Sequence, residues 1–519
     1  MRFMGMLTFF LLVALIFVLI QPAFASDFSG DTIYFIVVDR FQDGSAENNA
    51  RGKIYSGNKE EWKLYWGGDI QGIIDRLPYI KSLGCTAIWI TPIIDNTEEL
   101  YYYGENKEEK ISAYHGYWGR DWWKINTHFG TKEKFQELID KAHEMDIKIV
   151  FDYVLNHTSP INQGINGAIY EKGKYIADYE NDKPDWFHHY GSIDFRKDDP
   201  VEWQNKNLFD LADLNTENPE VRRYIIESAK MWMDMGLDAF RLDTVRHIPV
   251  EFAKEFAQSL KKTNPDIFIF GEWSMGGLAV PGAVDFTRET GIDLIDFQFT
   301  FFITDTLCRD KSFEKLANYI DNDYKVRNPN LMVTCIDNHD MPRFISTAID
   351  NGADMKTARR KTELATYIMM TTRGIPCIYY GTERYLHVDK KSTWGYGGEP
   401  YNRQMMTDWE KENEFSDNIK VLAQLRKTNN ALSKGTQRTL KYGKNYWVYE
   451  RRFEKEVVLV AVNKGKSRTI NLKDVHLPDG KYDNSDYRFY RIMGPDIEIK
   501  NMGADIKLGK NQIGIWLNR

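Results

Sequence analysis

Acidic and histidine side chains follow short apolar runs at four places in this 519-residue sequence. They stand at Asp152–His157, Asp243–His247, Glu272 and Asp337–Asp340. Each apolar run has the length and composition of a buried strand. Burying a carboxylate without a partner costs roughly several kcal/mol. One such acid is easily structural, but four at equivalent positions are not, so the pattern predicts a chemical site at the ends of neighbouring strands.

Several carboxylates that converge on one pocket suit two kinds of chemistry. In glycoside cleavage, one acid protonates the leaving oxygen while another attacks or stabilises the anomeric centre. A divalent-metal hydrolase is the alternative. The sequence contains no H-E-x-x-H and no histidine-rich ligand set, so carbohydrate chemistry is favoured. Gly465-Lys466-Ser467 lacks the first glycine of a phosphate loop, and Ser274 misses the G-x-S-x-G pattern.

The elements that must position these acids alternate between apolar β-rich runs and amphipathic helical segments. The predicted strands are Ile33–Val38, Ala87–Thr91, Ile147–Tyr153, Ala239–Asp243, Ile267–Gly271, Leu294–Phe299, Leu331–Ile336 and Pro376–Tyr380. The predicted helices are Ile70–Leu83, Lys132–Met145, Pro219–Met235, Val250–Lys262, Lys311–Asn322, Thr357–Thr371 and Asn418–Lys427. Eight strands alternating with helices predict an α/β fold, a (β/α)8 TIM barrel. An open doubly wound sheet is the alternative, but no G-x-G-x-x-G follows the first strand.

Two departures from this alternation predict the domain organisation. Residues 159–214 lack clear periodicity and are expected to form a subdomain inserted after strand 3. Residues 431–519 alternate in polarity and predict a C-terminal antiparallel β-sandwich domain. The barrel itself is assigned to residues 26–158 and 215–430.

The first 25 residues have the pattern of a signal peptide. Arg2 precedes the apolar run Met6–Ile20, and Ala23-Phe24-Ala25 matches a cleavage site. A membrane anchor is the alternative, but the run is short for a span. We therefore expect an exported protein with no membrane association after cleavage. Cys85, Cys308, Cys335 and Cys377 match no metal pattern and are expected to be buried apolar residues, with one disulfide as the alternative.

The charge and aromatic content of the chain indicate which kinds of molecule it binds. The formal net charge is −7, from 68 basic and 75 acidic residues, which disfavours nucleic acid because phosphate contacts need clustered Lys and Arg. Aromatic residues make up 14% of the chain, a share that suits stacking against sugar rings.

Five motifs, taken together, carry a family resemblance: DYVLNH (152–157), LADLN (211–215), FRLDTVRH (240–247), GEW (271–273) and IDNHD (336–340). On these, the chain resembles the α-amylase family of glycoside hydrolases, and within it the cyclodextrin glycosyltransferase branch. The resemblance runs from Ile33 to about Val460.

The resemblance implies three catalytic acids. Asp243 corresponds to the nucleophile of a covalent glycosyl-enzyme, Glu272 to the general acid and base, and Asp340 to a stabiliser of the transition state. Arg241 is implied to hold Asp243 ionised. The other implied substrate-binding residues are Tyr117, His157, Arg246, His247, His339, Phe195, Phe209, Glu399 and Arg403, with Glu399 standing where the family often has Asp.

Calcium is the cofactor that the resemblance implies. Asn156, Asp213 and the carbonyl of His247 resemble the ion site that ties the inserted subdomain to the barrel. A second, plausible site resembles the N-terminal loop and comprises Asp43, Asn48, Asn49, Gly67 and Asp69. These oxygen ligands suit calcium.

The residues that decide between water and sugar as the acceptor give a mixed pattern. Phe195 and Phe209 match the aromatic acceptor side of the transferase branch, whereas Ser274 stands where that branch has another ring. Arg246 replaces the usual Lys. Because the chain also carries only one β domain after the barrel, we predict a secreted, monomeric endo-α-amylase acting on starch and maltooligosaccharides, with some transglycosylation.

Two other functions stay open at this point. A cyclodextrin-forming or maltogenic enzyme acting on the same substrates is the first alternative. A non-catalytic glucan-binding relative is the second, but such relatives lack one or more of the three acids, which are all present here.

Overall fold

A computed structural model describes residues 27–104, 108–161, 166–197, 199–277, 279–393, 395–410 and 413–518. The predicted signal peptide, residues 1–25, lies outside the described residues. In the described part of the chain, no helix is both long and apolar enough to cross a membrane.

Eight parallel strands form the centre of the molecule. They are β1 (Ile33–Ile36), β2 (Ala87–Ile90), β3 (Lys148–Val154), β4 (Ala239–Asp243), β5 (Phe268–Gly271), β6 (Asp293–Leu294), β7 (Val333–Thr334) and β8 (Ile375–Tyr379). Their order in the sheet is β6-β5-β4-β3-β2-β1-β8-β7. A parallel bridge between Ile295 and Val333 joins the two ends, so the sheet closes into the predicted barrel.

Helices surround the barrel and connect its strands. Along the chain they are α1 (Val38–Phe41), α2 (Ile70–Ser82), α3 (Lys132–Glu144), α4 (Pro200–Asn205), α5 (Pro219–Met233), α6 (Val250–Thr263), α7 (Ala283–Thr290), α8 (Phe297–Leu307), α9 (Glu314–Ile320), α10 (Phe344–Asp350), α11 (Met355–Thr371), α12 (Glu414–Thr428) and α13 (Asn430–Ser433). Short 3-10 turns occupy Phe28–Gly30, Gly52–Ile54, Val245–His247, Asp323–Lys325, Pro329–Leu331 and Thr382–Arg384.

Short antiparallel strand pairs lie within the loops that follow the barrel strands. Ile94–Asn96 pairs with Gly119–Ile125, Tyr101–Tyr103 with Glu109–Ile111, His157–Pro160 with Leu211–Asp213, Ile169–Glu171 with Lys174–Ala177, and Lys391–Ser392 with Gly395–Tyr396. The segment after β3 therefore contains short strands and helix α4 in place of a barrel repeat. Its first and last strands pair with each other, which returns the chain to the barrel.

The C-terminal part is all β. Its strands are β9 (Thr436–Gly443), β10 (Tyr446–Phe453), β11 (Glu456–Asn463), β12 (Arg468–Leu472), β13 (Gly480–Tyr482), β14 (Phe489–Met493), β15 (Ile497–Ile499), β16 (Ala504–Leu508) and β17 (Gln512–Asn518). Five of these strands form one antiparallel sheet in the order β9-β10-β11-β17-β14. Strand β12 pairs with β16, and strand β13 pairs with β15. A separate apolar core that includes Val448, Leu459 and Trp516 lies within this region, as expected for a sandwich.

The sequence prediction was wrong for the sixth strand. A strand was predicted over Leu294–Phe299, but β6 ends at Leu294 and helix α8 begins at Phe297. Asp296 caps this helix, because its carboxylate accepts a hydrogen bond of 3.1 Å from the backbone N–H of Phe299. The phenylalanine-rich run resembles a strand by composition, yet the cap and the burial of one face make it helical. Helices α1, α4, α7, α8, α10 and α13 were not predicted.

All four cysteines are buried and carry free thiols, and all four lie in described residues. The prediction that they are small apolar core residues is confirmed.

Candidate active site

Register brings the predicted acids to one edge of the barrel. In the β3–β4 ladder Asp152 lies opposite Arg241, and in the β4–β5 ladder Leu242 lies opposite Gly271. Asp243 and Glu272 follow these paired residues by one position. Because carboxyl ends of parallel strands meet at the same edge, these four polar side chains share one level of the barrel.

A single buried guanidinium joins three carboxylates. Arg241 is only 1% exposed, and its Nη1 lies 2.8 Å from Asp152 Oδ1 and 2.7 Å from Asp243 Oδ1. Its Nη2 donates a short hydrogen bond to Glu272 Oε2. A buried charge needs such partners. Arg241 therefore holds the predicted nucleophile and the predicted acid on its two terminal nitrogens.

The environment of Glu272 suits a proton donor. Burial raises the pKa of this carboxyl well above its usual range, and the nearby negative charges of Asp243 and Asp340 add to this, while Arg241 opposes it. The backbone fixes the residue as well, since its N–H donates to Leu242 O at 2.8 Å and its C=O accepts from Val245 N at 3.0 Å. A carboxyl held protonated near neutral pH is what a general acid requires.

Asp340 reaches the same cleft from the loop after β7. The Asn338 side chain accepts from the Asp340 N–H at 2.9 Å and so shapes the turn. Arg403 Nη2 lies 3.1 Å from Asp340 Oδ1, and His339 Nε2 lies 3.3 Å from Oδ2. The Asp340 side chain remains 44% exposed, so it faces the cleft and can meet a ligand hydroxyl.

Aromatic and imidazole rings form the floor of this cleft. The Tyr117 hydroxyl donates to Asp152 Oδ2 at 2.8 Å, and its ring stacks on His339 with centroids 5.2 Å apart. His157 is buried beside these groups, and burial lowers the pKa of both His157 and His339. The two imidazoles are therefore neutral, and each can exchange hydrogen bonds with sugar hydroxyls.

The arginine of the predicted polar pair connects Asp340 to a neighbouring cavity. Arg403 Nη1 lies 2.9 Å from Glu399 Oε1. Glu399 also lines a cavity of about 550 Å³. The cavity's aromatic lining consists of Tyr101, Tyr103, Trp118, Phe209 and Tyr401. Rings interspersed with charged groups suit an oligosaccharide, so this cavity extends the cleft beyond the acids.

A row of side chains that we call the ring wall, defined as Phe209, Phe195, Trp203, Arg246 and Trp273, starts at the same Phe209 that lines this cavity. Phe209 is 58% and Phe195 46% exposed, with centroids 5.2 Å apart. Phe195 meets Trp203 edge-on at 5.8 Å. Arg246 lies 3.8 Å above the Trp203 ring and 6.0 Å from the Trp273 ring. Trp203 and Arg246 thus lie between the exposed phenylalanines and Trp273, the residue that follows Glu272.

The first predicted metal site lies beneath this wall, where the donor set fits a hard cation. Asp213 is buried, and its Oδ2 contacts His188 Nδ1 at 2.6 Å, while its Oδ1 has no hydrogen-bond partner among the described residues. Asn156 and the turn Val245–His247 supply an amide and a backbone carbonyl. A buried carboxylate oxygen left without a partner costs free energy and is available as a ligand.

The second predicted site lies at the N-terminus of α2, and its residues contact one another. Asn48 Nδ2 donates to Asp69 Oδ2 at 2.9 Å, and Asn49 Nδ2 donates to Asp43 Oδ2 at 3.0 Å. Within the described chain, the Oδ1 atoms of both asparagines are buried and accept no hydrogen bond. Gly67 has φ +97°, and a Cβ added there would meet Asn49 Oδ1 at 2.5 Å. Two unpartnered oxygens in one oxygen-rich loop fit the same kind of cation.

Sequence reasoning missed two residues that organise the site. The sequence motif contains Asp152 but does not indicate its role. Asp152 is fully buried and accepts hydrogen bonds from Arg241, Tyr117 and Trp89 Nε1, the last at 2.9 Å. A charged residue inside an apolar strand was the available signal. Trp203 had no such signal, because its partner Arg246 is distant in sequence.

Comparisons with known proteins agree with this architecture. Residues 35–434 match the model of the alpha-amylase catalytic domain. A cyclomaltodextrin glucanotransferase of Thermoanaerobacterium thermosulfurigenes is 36% identical over 510 residues, which covers 94% of this chain and 68% of the relative.

Two solved structures match nearly end to end. CldA, described as a cyclomaltodextrin glucanotransferase with a three-domain ABC distribution, is 37% identical with a TM-score of 0.85, covering 94% of this chain and 99% of CldA. An alpha-amylase from Geobacillus thermoleovorans, solved with acarbose, is 30% identical with a TM-score of 0.78, covering 95% of this chain and 99% of that one.

Proposed function

The chain belongs to the alpha-amylase family, and we propose that it is a retaining glucanotransferase that rearranges the α-1,4 bonds of starch and maltooligosaccharides, forms cyclic glucans and hydrolyses part of its substrate. The observation that carries this proposal is the set of carboxylates held by Arg241, with Asp243 and Glu272 on one guanidinium. Such a compact pair suits a retaining mechanism, in which the carboxyl groups lie about 5–5.5 Å apart.

This proposal reverses the order of the two activities that the sequence suggested. The sequence alone favours hydrolysis, partly because it predicts a single β domain after the barrel. A glucanotransferase of three domains aligns with 94% of this chain, so that reason no longer weighs against transfer. The exposed pair Phe195 and Phe209 also supports transfer, since apolar rings hold an acceptor sugar and keep water away.

An endo-acting α-amylase is the second candidate. Ser274 lacks the ring that the resemblance leads us to expect, which weakens the acceptor side. An alpha-amylase of similar length is 30% identical over 95% of this chain. Both features favour water as the acceptor.

The proposed mechanism begins with two carboxyl groups acting together. Asp243, which accepts a hydrogen bond of 2.7 Å from Arg241, attacks the anomeric carbon through its carboxylate. The proton of Glu272 passes to the departing glycosidic oxygen, so the bond breaks without forming an alkoxide. Asp340 bonds the ring hydroxyls, and this interaction strengthens as the ring flattens.

The second half of the mechanism returns the proton. Glu272 is now a carboxylate and takes a proton from the incoming hydroxyl, whose oxygen attacks the anomeric carbon and displaces Asp243. A sugar hydroxyl gives transfer, the other end of the same chain gives a ring, and water gives hydrolysis. Two inversions at one carbon retain the α configuration.

Calcium binding is also part of the proposal. Asn156, Asp213 and the His247 carbonyl would hold one ion, and Asp43, Asn48, Asn49, Gly67 and Asp69 a second. The first of these ions would neutralise the negative charge of its carboxylate ligand. It would thereby tie the inserted segment to the barrel turn at Val245–His247. The leader pattern of residues 1–25 supports export, and we propose a secreted monomer.

Removal of calcium is expected to lower the melting temperature of the protein. An ion held at 100 times its dissociation constant stabilises by about 2.7 kcal/mol, which for a chain of this size is a fall of roughly 3 °C for each ion that EDTA removes. The measurement is differential scanning fluorimetry in calcium, in magnesium and in EDTA. Asn49→Ala removes one ligand of the second site and should show a smaller calcium-dependent shift. Identical melting temperatures in calcium and in EDTA would contradict both sites.

The proposed activity is tested by the products formed from soluble starch. The mature protein is expected to produce cyclic glucans, which resist digestion from the chain end by glucoamylase and are resolved by chromatography. Linear maltooligosaccharides alone, with a rapid loss of iodine colour, would overturn the transferase proposal in favour of the endo-amylase.

A further inference from the structure

Trp203 occupies a distinctive place between the inserted segment and the turn after β4. It lies on helix α4, and its indole Nε1 donates to Lys197 O at 2.9 Å. Its backbone carbonyl lies 3.2 Å from His247 Nδ1, and its ring stacks on the His247 ring at 5.2 Å. One residue of the insert therefore contacts two consecutive residues of the barrel turn, Arg246 and His247.

The contact with Arg246 is a cation–π interaction of short range. The guanidinium carbon lies 3.8 Å from the centroid of the Trp203 ring. Arginine is planar and stacks over an indole face with larger contact than a lysine ammonium does. The arginine that replaces the expected lysine thus has a partner suited to it.

The orientation of Arg246 matters because of what lies beyond it. Its guanidinium is 6.0 Å from the ring of Trp273, which directly follows Glu272. Phe195, half exposed, packs edge-on against the same Trp203 ring at 5.8 Å. Trp203 is therefore the member of the ring wall that touches both the exposed aromatic surface and the charged group near the acid.

We propose that Trp203 is a positioning residue that holds Arg246 toward the incoming sugar and thereby biases the glycosyl-enzyme toward transfer and away from hydrolysis. This inference rests on the proposed function. A long arginine side chain has many rotamers, and ordering it only when the acceptor arrives costs rotamer entropy. The indole face removes much of that cost before the acceptor binds.

The step that Trp203 biases is the second displacement. The acceptor oxygen forms a bond to the anomeric carbon as the ester bond to Asp243 breaks, and the acceptor proton passes to Glu272. Arg246 supplies donors to acceptor hydroxyls, which water as a nucleophile does not need. Disordering Arg246 is therefore expected to slow transfer more than hydrolysis.

The test compares Trp203→Leu with Trp203→Phe, using a blocked nitrophenyl maltoheptaoside as donor and maltose as acceptor. Leucine removes the aromatic face, whereas phenylalanine keeps a smaller aromatic face and loses the hydrogen bond to Lys197 O. Both variants keep the backbone carbonyl that faces His247. The readouts are the ratio of transfer to hydrolysis products, the maltose concentration giving half-maximal transfer, and the melting temperature.

Trp203→Leu is expected to lower the transfer-to-hydrolysis ratio about three- to tenfold, in line with the strength of a partly buried cation–π contact. The half-saturating maltose concentration should rise to a similar extent, and Trp203→Phe should restore most of both values. Arg246→Met should lower the ratio as well, and adding Trp203→Leu to it should cause little further change. If Trp203→Leu does not fold, Trp203→Met, which also removes the aromatic face, takes its place in the same comparison with and without Arg246→Met.

Several results would overturn the inference. An unchanged ratio in Trp203→Leu, or an equal loss of transfer and hydrolysis together with a lower melting temperature, would leave Trp203 a purely structural role. Additive effects of Trp203→Leu and Arg246→Met would show that the two act separately. Absence of transfer in the wild-type protein would instead overturn the proposed glucanotransferase function itself, and the inference with it.

Discussion

Asp243→Asn is expected to lower turnover of starch by about four to six orders of magnitude, as loss of a nucleophile does in other enzymes. An amide oxygen cannot form the glycosyl ester. It can still accept the hydrogen bond that Arg241 Nη1 donates to Asp243 at 2.7 Å in the native protein. Arg241 also keeps Asp152 and Glu272 as partners, so the fold should survive. Binding of maltoheptaose, measured by calorimetry, should stay within a few-fold of the wild-type value.

Asp285→Asn is the matched control for this variant. Asp285 lies on α7 with 71% of its side chain exposed, in a loose contact of 3.7 Å with Arg288, and its replacement should leave turnover unchanged. Wild-type activity in Asp243→Asn would remove Asp243 from the mechanism. Loss of maltoheptaose binding together with turnover would point to a collapsed cleft and not to a missing nucleophile.

Glu272→Gln is expected to lower kcat on starch by about two to four orders of magnitude, the usual contribution of a general acid. Glutamine has no proton to give to the departing oxygen. A glycosyl fluoride needs no protonation to leave, so its cleavage should suffer much less. Azide needs no base to attack and should restore turnover with formation of an α-glycosyl azide.

The pH profile gives this variant a second readout. The pKa of Glu272 is raised well above its usual range by burial, so the carboxyl is protonated and active at lower pH and loses its proton as the pH rises. Wild-type activity should therefore fall on the alkaline side, and that fall should be absent from glycosyl fluoride cleavage by Glu272→Gln. Glu289→Gln, an exposed position on α7, should keep the wild-type profile. An alkaline limb that persists in Glu272→Gln would assign the ionisation to another group.

Local patterns in the sequence were sufficient to predict the barrel and the positions of the acids. Strands β1 to β5 and β8 are largely apolar, apart from the charged residues of β3 and β4, because helices cover the outside and side chains fill the inside. Each therefore appears as a short continuous run. Strands β6 and β7 have only two residues each, so the predicted runs Leu294–Phe299 and Leu331–Ile336 are longer than the strands themselves. The run after β6 became helical because Asp296 caps it, which composition does not reveal.

The contacts within the site depend on distances along the chain that no local pattern encodes. The 1% exposure of Arg241 and its bonds to three carboxylates arise from register between β3, β4 and β5. The pairing of Trp203 with Arg246 joins the inserted segment to the barrel across 43 positions, and only the fold brings them within 3.8 Å. The choice between transfer and hydrolysis also depends on such contacts, because the arrangement of rings and charges around the acids determines it.

The most direct test is to trap the covalent intermediate and locate it. The purified protein is incubated with a 5-fluoro-α-glucosyl fluoride, whose fluorine slows the second displacement, and is then digested and sequenced by mass spectrometry. The label is expected as an ester on Asp243, with Asp243→Asn remaining unlabelled. An intact, active protein that carries no label, or carries it on another carboxylate, would contradict the assignment of Asp243 and the retaining mechanism built on it.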